Sequence, residues 1–186
     1  MADLTDEELM LAYRDGDAHA FEQLYSKHKG GVYRYLLRKC GNAAIVEELF
    51  QDVWMKLINA RERYEVKAKF STWLYQLAHN HFIDYYRKHS ISASMSQNFQ
   101  DDELENIPAS SNHQPEQQVE FQQQTEILMH LINELPDEQR EVFLLREEAG
   151  MGLAEIAEVT GVNIETAKSR LRYAVNRLRK GMNDNE

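Results

Sequence analysis

Cysteine is almost missing: Cys40 is the single one in 186 residues. One thiol can close no internal disulfide and no cysteine metal cluster, and it reads as a small buried hydrophobe in a reducing compartment. No apolar run approaches the roughly 18 to 20 residues that span a bilayer. The first residues, MADLTDEELM, have neither the basic start nor the apolar core of a signal peptide, so a cytoplasmic location is expected. HExxH, paired CxxC, P-loop and GxSxG motifs are all lacking. His79 and His81 stand two apart on a helical stretch and do not share a face, which makes them poor joint metal ligands. The carboxylates sit on amphipathic faces or in a polar linker, with no sign of a dry catalytic pair. No catalytic residue, metal or cofactor is expected, and the chain is not expected to be an enzyme.

Positive charge is missing from one long stretch. Between His89 and Gln139 there is no Lys or Arg, but there are ten acids. The formal net charge of −10 comes from 31 acids and 21 bases. Taking those ten acids away leaves 21 against 21, so the rest of the chain is neutral. The acidic total therefore describes one segment and does not exclude a nucleic-acid partner.

At 42% hydrophobic and 28% charged residues, what remains can build a core. Thr5 followed by Glu8 is a capping box opening a first helix. A second helix is expected from about Ala18 to Lys39, with Phe21, Leu24, Tyr25, Val32, Tyr35 and Leu36 inward and a weak middle at Gly30-Gly31. A third runs from about Ala43 to Asn59, burying Ile45, Leu49, Val53, Trp54 and Leu57. A fourth runs from about Ser71 to Lys88. Residues 90–118, rich in Ser, Gln, Asn and acids with two prolines, have the composition of a flexible linker. Helical spacing resumes with Val119, Ile127, Leu128, Leu131 and Leu135. Pro136 suits the first position of the next helix, which continues to about Glu148. Shorter helices follow at about 153–160 and 164–180. No segment reads as a strand. The expected fold is all-α: two small helical domains, 1–89 and 119–186, joined by a flexible acidic linker.

The segment from Leu153 to Leu171 has the spacing of a helix-turn-helix. Ala157 allows a close helix crossing, Gly161 supplies the turn, Val162 plugs the corner, and Ile156, Ala167 and Leu171 bury the inner face. Asn163 caps the second helix, and Glu165 suits the positive end of its dipole. From Glu165 to Lys180, six bases face one acid, a local +5. The first turns of such a helix reach base edges, so Thr166, Lys168, Ser169, Arg170, Arg172 and Tyr173 are the candidate DNA contacts. Arg177, Arg179 and Lys180 suit backbone phosphate or simply the helix C-terminus.

The run LPDEQREVFLLREEAGMGLAEIAEVTGVNIETAKSRLRYAVNRLR (135–179) resembles the minus-35-binding domain of bacterial sigma factors. The stretch from Phe21 to Lys88 resembles their core-binding and minus-10 domain, above all IVEELFQDVW (45–54) and FSTWLYQLAHN (70–80) with Asp84 and Arg87-Lys88. With only a linker between the two, the chain resembles the extracytoplasmic-function (ECF) group. The resemblance implies core RNA polymerase and promoter DNA as partners, and an anti-sigma factor as a further one. It implies that Glu47, Glu48, Gln51 and Asp52 dock on the clamp helices of the largest polymerase subunit. It implies that the C-terminal domain sits on the flap. It implies contacts of Lys69, Tyr75, Gln76, Asn80, Arg87 and Lys88 with the opened minus-10 strand.

The residue pattern agrees with that. Glu47 with Gln51 and Glu48 with Asp52 are i,i+4 pairs opposite the apolar face. The like-charge pair costs about 0.2–0.5 kcal/mol in an isolated helix, a cost a basic partner would repay. On the fourth helix Trp73, Leu74, Leu77, Ala78, His81 and Tyr85 can face inward. Gln76, Asn80, Asp84 and Arg87 then form a polar stripe flanked by Tyr75, Tyr86 and Lys88, which suits unstacked bases. Two positions depart from the family pattern: His79 replaces an Arg, and Gly152 replaces a Ser or Thr cap. Two other readings stay open at this stage. A stand-alone helix-turn-helix regulator needs neither the acidic face nor the fourth helix, and a protein-binding adaptor needs no basic helix.

Overall fold

The computed structural model describes residues 4–93 and 115–185, and all regular structure among them is helical. α1 (Asp6–Arg14) starts on a complete capping box: Thr5 Oγ1 accepts the Glu8 N–H at 3.3 Å, and the Glu8 carboxylate accepts the Thr5 N–H at 2.8 Å. α2 (Ala18–Cys40) is capped by the Asp17 carboxylate, and α3 (Ala43–Ala60) by the Asn42 side chain. A single 3-10 turn, Arg61–Arg63, follows α3. α4 (Phe70–Ala93) takes its cap from another helix, with the Phe70 N–H donating to Glu7 of α1 at 2.6 Å.

α5 (Pro115–Asn133) opens the second half, followed by α6 (Asp137–Ala149), α7 (Leu153–Thr160) and α8 (Ile164–Asp184). Pro136 is the cap of α6 and not its first helical residue. Its ψ of 142° is extended, while its carbonyl accepts the Gln139 and Arg140 N–H groups at 2.9 Å. Of the expected linker 90–118, residues 94–114 lie outside the described residues, and α4 and α5 reach Ala93 and Pro115 inside it.

The N-terminal core gathers Met10, Leu24, Val32, Leu36, Val46, Leu49, Val53, Leu57, Phe70, Leu74 and Ala78, all fully buried. Val46 takes the innermost place that periodicity gives to Ile45, which is half-buried. Phe21, Tyr25, Phe50 and Trp54 meet in an aromatic group in which Trp54 is edge-on to the other three, with ring centroids 4.9–6.3 Å apart. The C-terminal core is smaller, built from Ile132, Leu135, Val142, Leu145, Ile156, Val159, Ala167, Ala174 and Leu178. Truncating a fully buried leucine such as Leu49 or Leu145 removes about 2–5 kcal/mol, a large share of what a small domain has.

The two cores form one continuous cluster, because α6 crosses α2 and α7 lies on α4. Gly31 explains why α2 keeps a residue that weakens a helix. A β-carbon there would come within 2.6 Å of the Tyr75 hydroxyl and 3.4 Å of the Glu148 carbonyl. Helix propensity of about 1 kcal/mol is given up so that α6 can approach.

Candidate nucleic-acid interface

The helix-turn-helix is built as its spacing dictates. Ala157 is 5% exposed at the crossing, and Gly161 has a φ of +69°, a left-handed conformation that an L side chain rarely adopts. The Val162 N–H returns to the Ala157 carbonyl at 3.1 Å, and Asn163 Oδ1 accepts the Thr166 N–H at 2.7 Å. Val162 and Leu171 are half-buried beneath the turn. On the outer side Lys168, Arg172 and Tyr173 are exposed, while Thr166, Ser169 and Arg170 are half-buried. The Arg172 guanidinium lies 5.1 Å from the Tyr173 ring centroid, a cation–π contact on the exposed side of the helix. Arg170 pairs with Glu138 of α6 at 2.8 Å, which fixes its fork at the start of the recognition helix.

The acidic face of α3 stands apart from the cores. Glu47, Glu48 and Gln51 are exposed. Asp52 is half-buried and lies 3.0 Å from His81 Nε2, so α4 holds this edge of the face in place.

The α4 face is divided. Asn80, Arg87 and Lys88 are exposed. Lys69, Tyr75 and Gln76 are all engaged by the C-terminal half. Lys69 Nζ lies 3.3 Å from Glu155 of α7, Gln76 donates to the Val159 carbonyl at 3.2 Å, and the Tyr75 hydroxyl donates to the Glu148 carbonyl at 3.3 Å. Tyr75, which periodicity sets beside the polar stripe, is 1% exposed, and its ring packs edge-on to Tyr35 at 5.3 Å. Burial, with Glu148 next, pushes its hydroxyl pKa well up. Beside these residues a cavity of about 350 Å³ lies between the 3-10 turn and α4, walled by Arg63, Tyr64, Lys67, Trp73 and Gln76 and reached by Glu158 of α7. Burial, with Glu7 and Asp6 behind it, raises Tyr64 to about 12, so its phenol stays protonated there.

The junction between the halves rests on three acids. Glu141 of α6 is 7% exposed and is met by the Tyr35 hydroxyl, the Lys39 ammonium and, at 3.1 Å, His79 Nδ1. Burial by itself would raise this carboxyl. The His79 hydrogen bond and the charges of Lys39 and His79 overturn that and hold it at about 2. Glu148 takes Arg34 at 2.9 Å and Arg38 at 3.7 Å. Glu155 accepts from the Thr72 hydroxyl at 3.1 Å and from the Gly152 N–H at 2.8 Å, besides pairing with Lys69. None of these acids was singled out by sequence reasoning. The available signal was confined to Glu141 and Glu148, seven residues apart on α6, and the bases Arg34, Arg38 and Lys39 of α2.

Among the described residues no helix is long and apolar enough to cross a membrane, and no group of three or more His, Cys, Asp or Glu could hold a metal ion.

The family model for Sigma-70 region 2 matches residues 24–91, and that for Sigma-70 region 4 matches residues 125–178. Region 2 followed by region 4 is the make-up of a promoter-recognising sigma factor. The chain is 30% identical to the ECF RNA polymerase sigma factor SigM of Bacillus subtilis, across 88% of this chain and 98% of that protein. It is likewise 30% identical to the ECF RNA polymerase sigma factor RpoE of Cereibacter sphaeroides, across 94% and 93%. In fold it is similar to the sigma factor RpoE of Bartonella quintana in complex with the anti-sigma factor NepR. That match has a TM-score of 0.73 and 22% identity, over 88% of this chain and 96% of that one. The chain belongs to the ECF group of RNA polymerase sigma factors.

Proposed function

We propose that this chain starts transcription by dividing promoter recognition between its halves, with no catalysis of its own. Residues 1–89 bind core RNA polymerase, with Glu47, Glu48, Gln51 and Asp52 docking on the clamp helices of the largest subunit. Lys69, Tyr75, Gln76, Asn80, Arg87 and Lys88 take the opened minus-10 strand. Residues 119–186 sit on the flap and read the minus-35 duplex through Thr166, Lys168, Ser169, Arg170, Arg172 and Tyr173. The segment 90–118 tethers the two, so that two weak DNA contacts act as one. An anti-sigma factor covering these surfaces, and work in the cytoplasm, complete the proposal.

The observation that carries the reading is the occurrence of both sigma-70 regions, in order, on one chain. A stand-alone regulator would have no use for the first. The test is purified core polymerase plus this protein on genomic DNA fragments. Initiation from discrete start sites is expected only with both present, and failure to bind core polymerase would end the reading. A pull-down that recovers polymerase but no small inhibitory protein would count against the anti-sigma partner.

A further inference from the structure

α1 lies ahead of residues 24–91, the stretch matched by Sigma-70 region 2. Its buried residues, Leu9, Met10 and Tyr13, would suffice for a helix that only closes the N-terminal core. Its polar side chains reach further, to the connection between α3 and α4 at residues 61–69. The need for this is written in the sequence. α1, α2, α3 and α8 each start on a capping side chain of their own, from Thr5, Asp17, Asn42 and Asn163. At α4 the corresponding place is taken by Lys69, whose carbonyl accepts the Trp73 N–H at 3.2 Å. An ammonium accepts no hydrogen bond, and its charge is unfavourable at the positive end of a helix. The Glu7 carboxylate supplies the missing cap from α1, accepting the Phe70 N–H at 2.6 Å.

The far end of α1 holds the other end of the connection. Arg14 donates to the Tyr64 carbonyl at 3.3 Å, and the Arg61 guanidinium lies 5.4 Å from the Tyr13 ring centroid. Tyr64 is thereby kept as a plug, 4% exposed, with its ring 4.9 Å from that of Trp73. α1 is itself fixed on α2, since Asp6 meets Lys27 at 2.7 Å and His28 at 2.8 Å. Residues 65–69 are all exposed, so their course depends on how Tyr64 and Phe70 are held. These holds set the width of the cavity that Arg63, Tyr64 and Lys67 wall on one side and Trp73 and Gln76 on the other.

We propose that α1 is a clasp that presets the connection 61–69 for the opened minus-10 strand, with Glu7 and Arg14 as positioning residues that do not themselves touch DNA. The proposal rests on the strand-binding role assigned to Lys69 and α4. A strand that enters a preset gap has no loop to order, and loop ordering is one of the main costs of association. Loss of the Glu7 cap frays the first turn of α4 and displaces Lys69, while the acidic face of α3 and the recognition helix α8 keep their own caps.

The test uses the full chain assembled with core polymerase. The probes are the genomic fragment that gives the strongest start site and the same fragment with a mismatched bubble across its minus-10 region. Equilibrium affinity is measured on both, and permanganate reactivity of unpaired thymines gives the rate of opening on the intact fragment. Glu7→Ala should weaken binding to the bubble about tenfold and slow opening by a similar factor, as expected for a lost cap. Affinity for core polymerase and for the intact fragment should stay within about twofold of the parent, because those contacts lie on other helices. Glu7→Gln keeps an oxygen that accepts the Phe70 N–H, and should restore both bubble affinity and opening rate. Arg14→Ala, which releases the Tyr64 carbonyl, should act in the same direction as Glu7→Ala. Unchanged bubble affinity in Glu7→Ala overturns the clasp. So does a loss shared equally with polymerase binding and helical content, which is a folding defect. A parent that does not prefer the bubble to the intact fragment ends the strand-binding role itself, so the two failures are told apart.

Discussion

Helix α8, to which we assign duplex reading, and helix α4, to which we assign strand capture, are built in opposite ways. α8 turns Lys168, Arg172 and Tyr173 to solvent and buries only small or aliphatic residues such as Ala167, Ala174 and Leu178. α4 buries Thr72 and Tyr75, half-buries Gln76 and His79, and has acids from the other half of the molecule on all but Gln76 of these or beside them. A helix that reads an intact duplex can wait in the open, because duplex binding is weak, salt-dependent and reversible. A helix that captures unstacked bases needs aromatic and polar groups that are costly to leave in water. In this chain the carboxylates of Glu141, Glu148 and Glu155 meet the polar and basic groups of α2 and α4.

The contrast breaks most sharply at Glu141. Glu141→Ala leaves Lys39 and His79 facing each other in the junction without their anion. Removing one member of a buried pair costs about 3–5 kcal/mol, because the remaining charge is uncompensated. Here the chain has an escape, since separating the halves returns Lys39 to water. The loss is therefore expected in docking and not in either core. Calorimetry should show a single unfolding transition in the parent and two separate ones in Glu141→Ala, each core keeping its own midpoint. A single transition at the parental temperature would mean that the junction contributes nothing.

Acid should act on the same residue more gradually. Glu141 is held at about 2 where a free glutamate lies near 4.5. A depressed folded-state value means that the stabilisation is complete above about 4.5, is lost as pH falls from there toward 2, and amounts to a few kcal/mol at neutral pH. Far-ultraviolet dichroism and scattering recorded together down this range should show the molecule expanding before it loses helix. Loss of helix first would place the acid-sensitive group elsewhere.

On the α8 side the expected effects are smaller and concern sequence preference. Arg170, set by Glu138 at the start of the helix, should cost about 1–3 kcal/mol at one base position when replaced by Ala. Arg179→Ala, two and a half turns further on, should weaken all sequences alike and reduce the salt slope by about one. Selection from a degenerate duplex pool separates the two. An unchanged preference for Arg170→Ala would remove that residue from the reading set.

The asymmetry between the helices also marks what periodicity can reveal. Local signals suffice where a residue answers to its own neighbours. Thr5 with Glu8, Asp17, Asn42, Gly161 and Asn163 each satisfy helix ends a few residues away, and each does so as its spacing requires. The acidic face and the basic helix are equally visible, because amphipathic spacing sorts polar from apolar residues along a single element. The junction was hidden because its partners lie far apart in sequence: Glu141 answers to Tyr35 and Lys39, and Glu155 to Thr72. No moment along one helix says that an acid on α6 meets a base on α2. Tyr75 shows the same limit. Its place beside a polar stripe was legible, but the α6 surface that buries it was not. Pro136 shifted by a single residue because extended and helical ψ values suit its fixed φ equally well.

The smallest effect expected is at Gly152, and it bears on why α7 keeps a weak cap. The box that opens α1 is complete, whereas at α7 only one half exists: Glu155 accepts the Gly152 N–H at 2.8 Å, and glycine has no side chain to return the bond. Gly152→Ser would supply it. The backbone there, at φ −75° and ψ 167°, is open to any residue, and the new β-carbon would meet Glu155 Oε2 at an ordinary 3.6 Å. The helix should gain a few tenths of a kcal/mol. In the α1 box, however, the Thr5 hydroxyl also donates to the Glu8 carboxylate at 3.0 Å. A serine at 152 would draw Glu155 inward in the same way, away from Thr72 and Lys69. The two consequences have opposite signs. Gly152→Ser should therefore raise the stability of the C-terminal core slightly while loosening its hold on α4, read as a higher midpoint for that core and faster amide exchange around Thr72. Slower exchange at Thr72 would show that the glycine has no part in keeping Glu155 extended toward the other half.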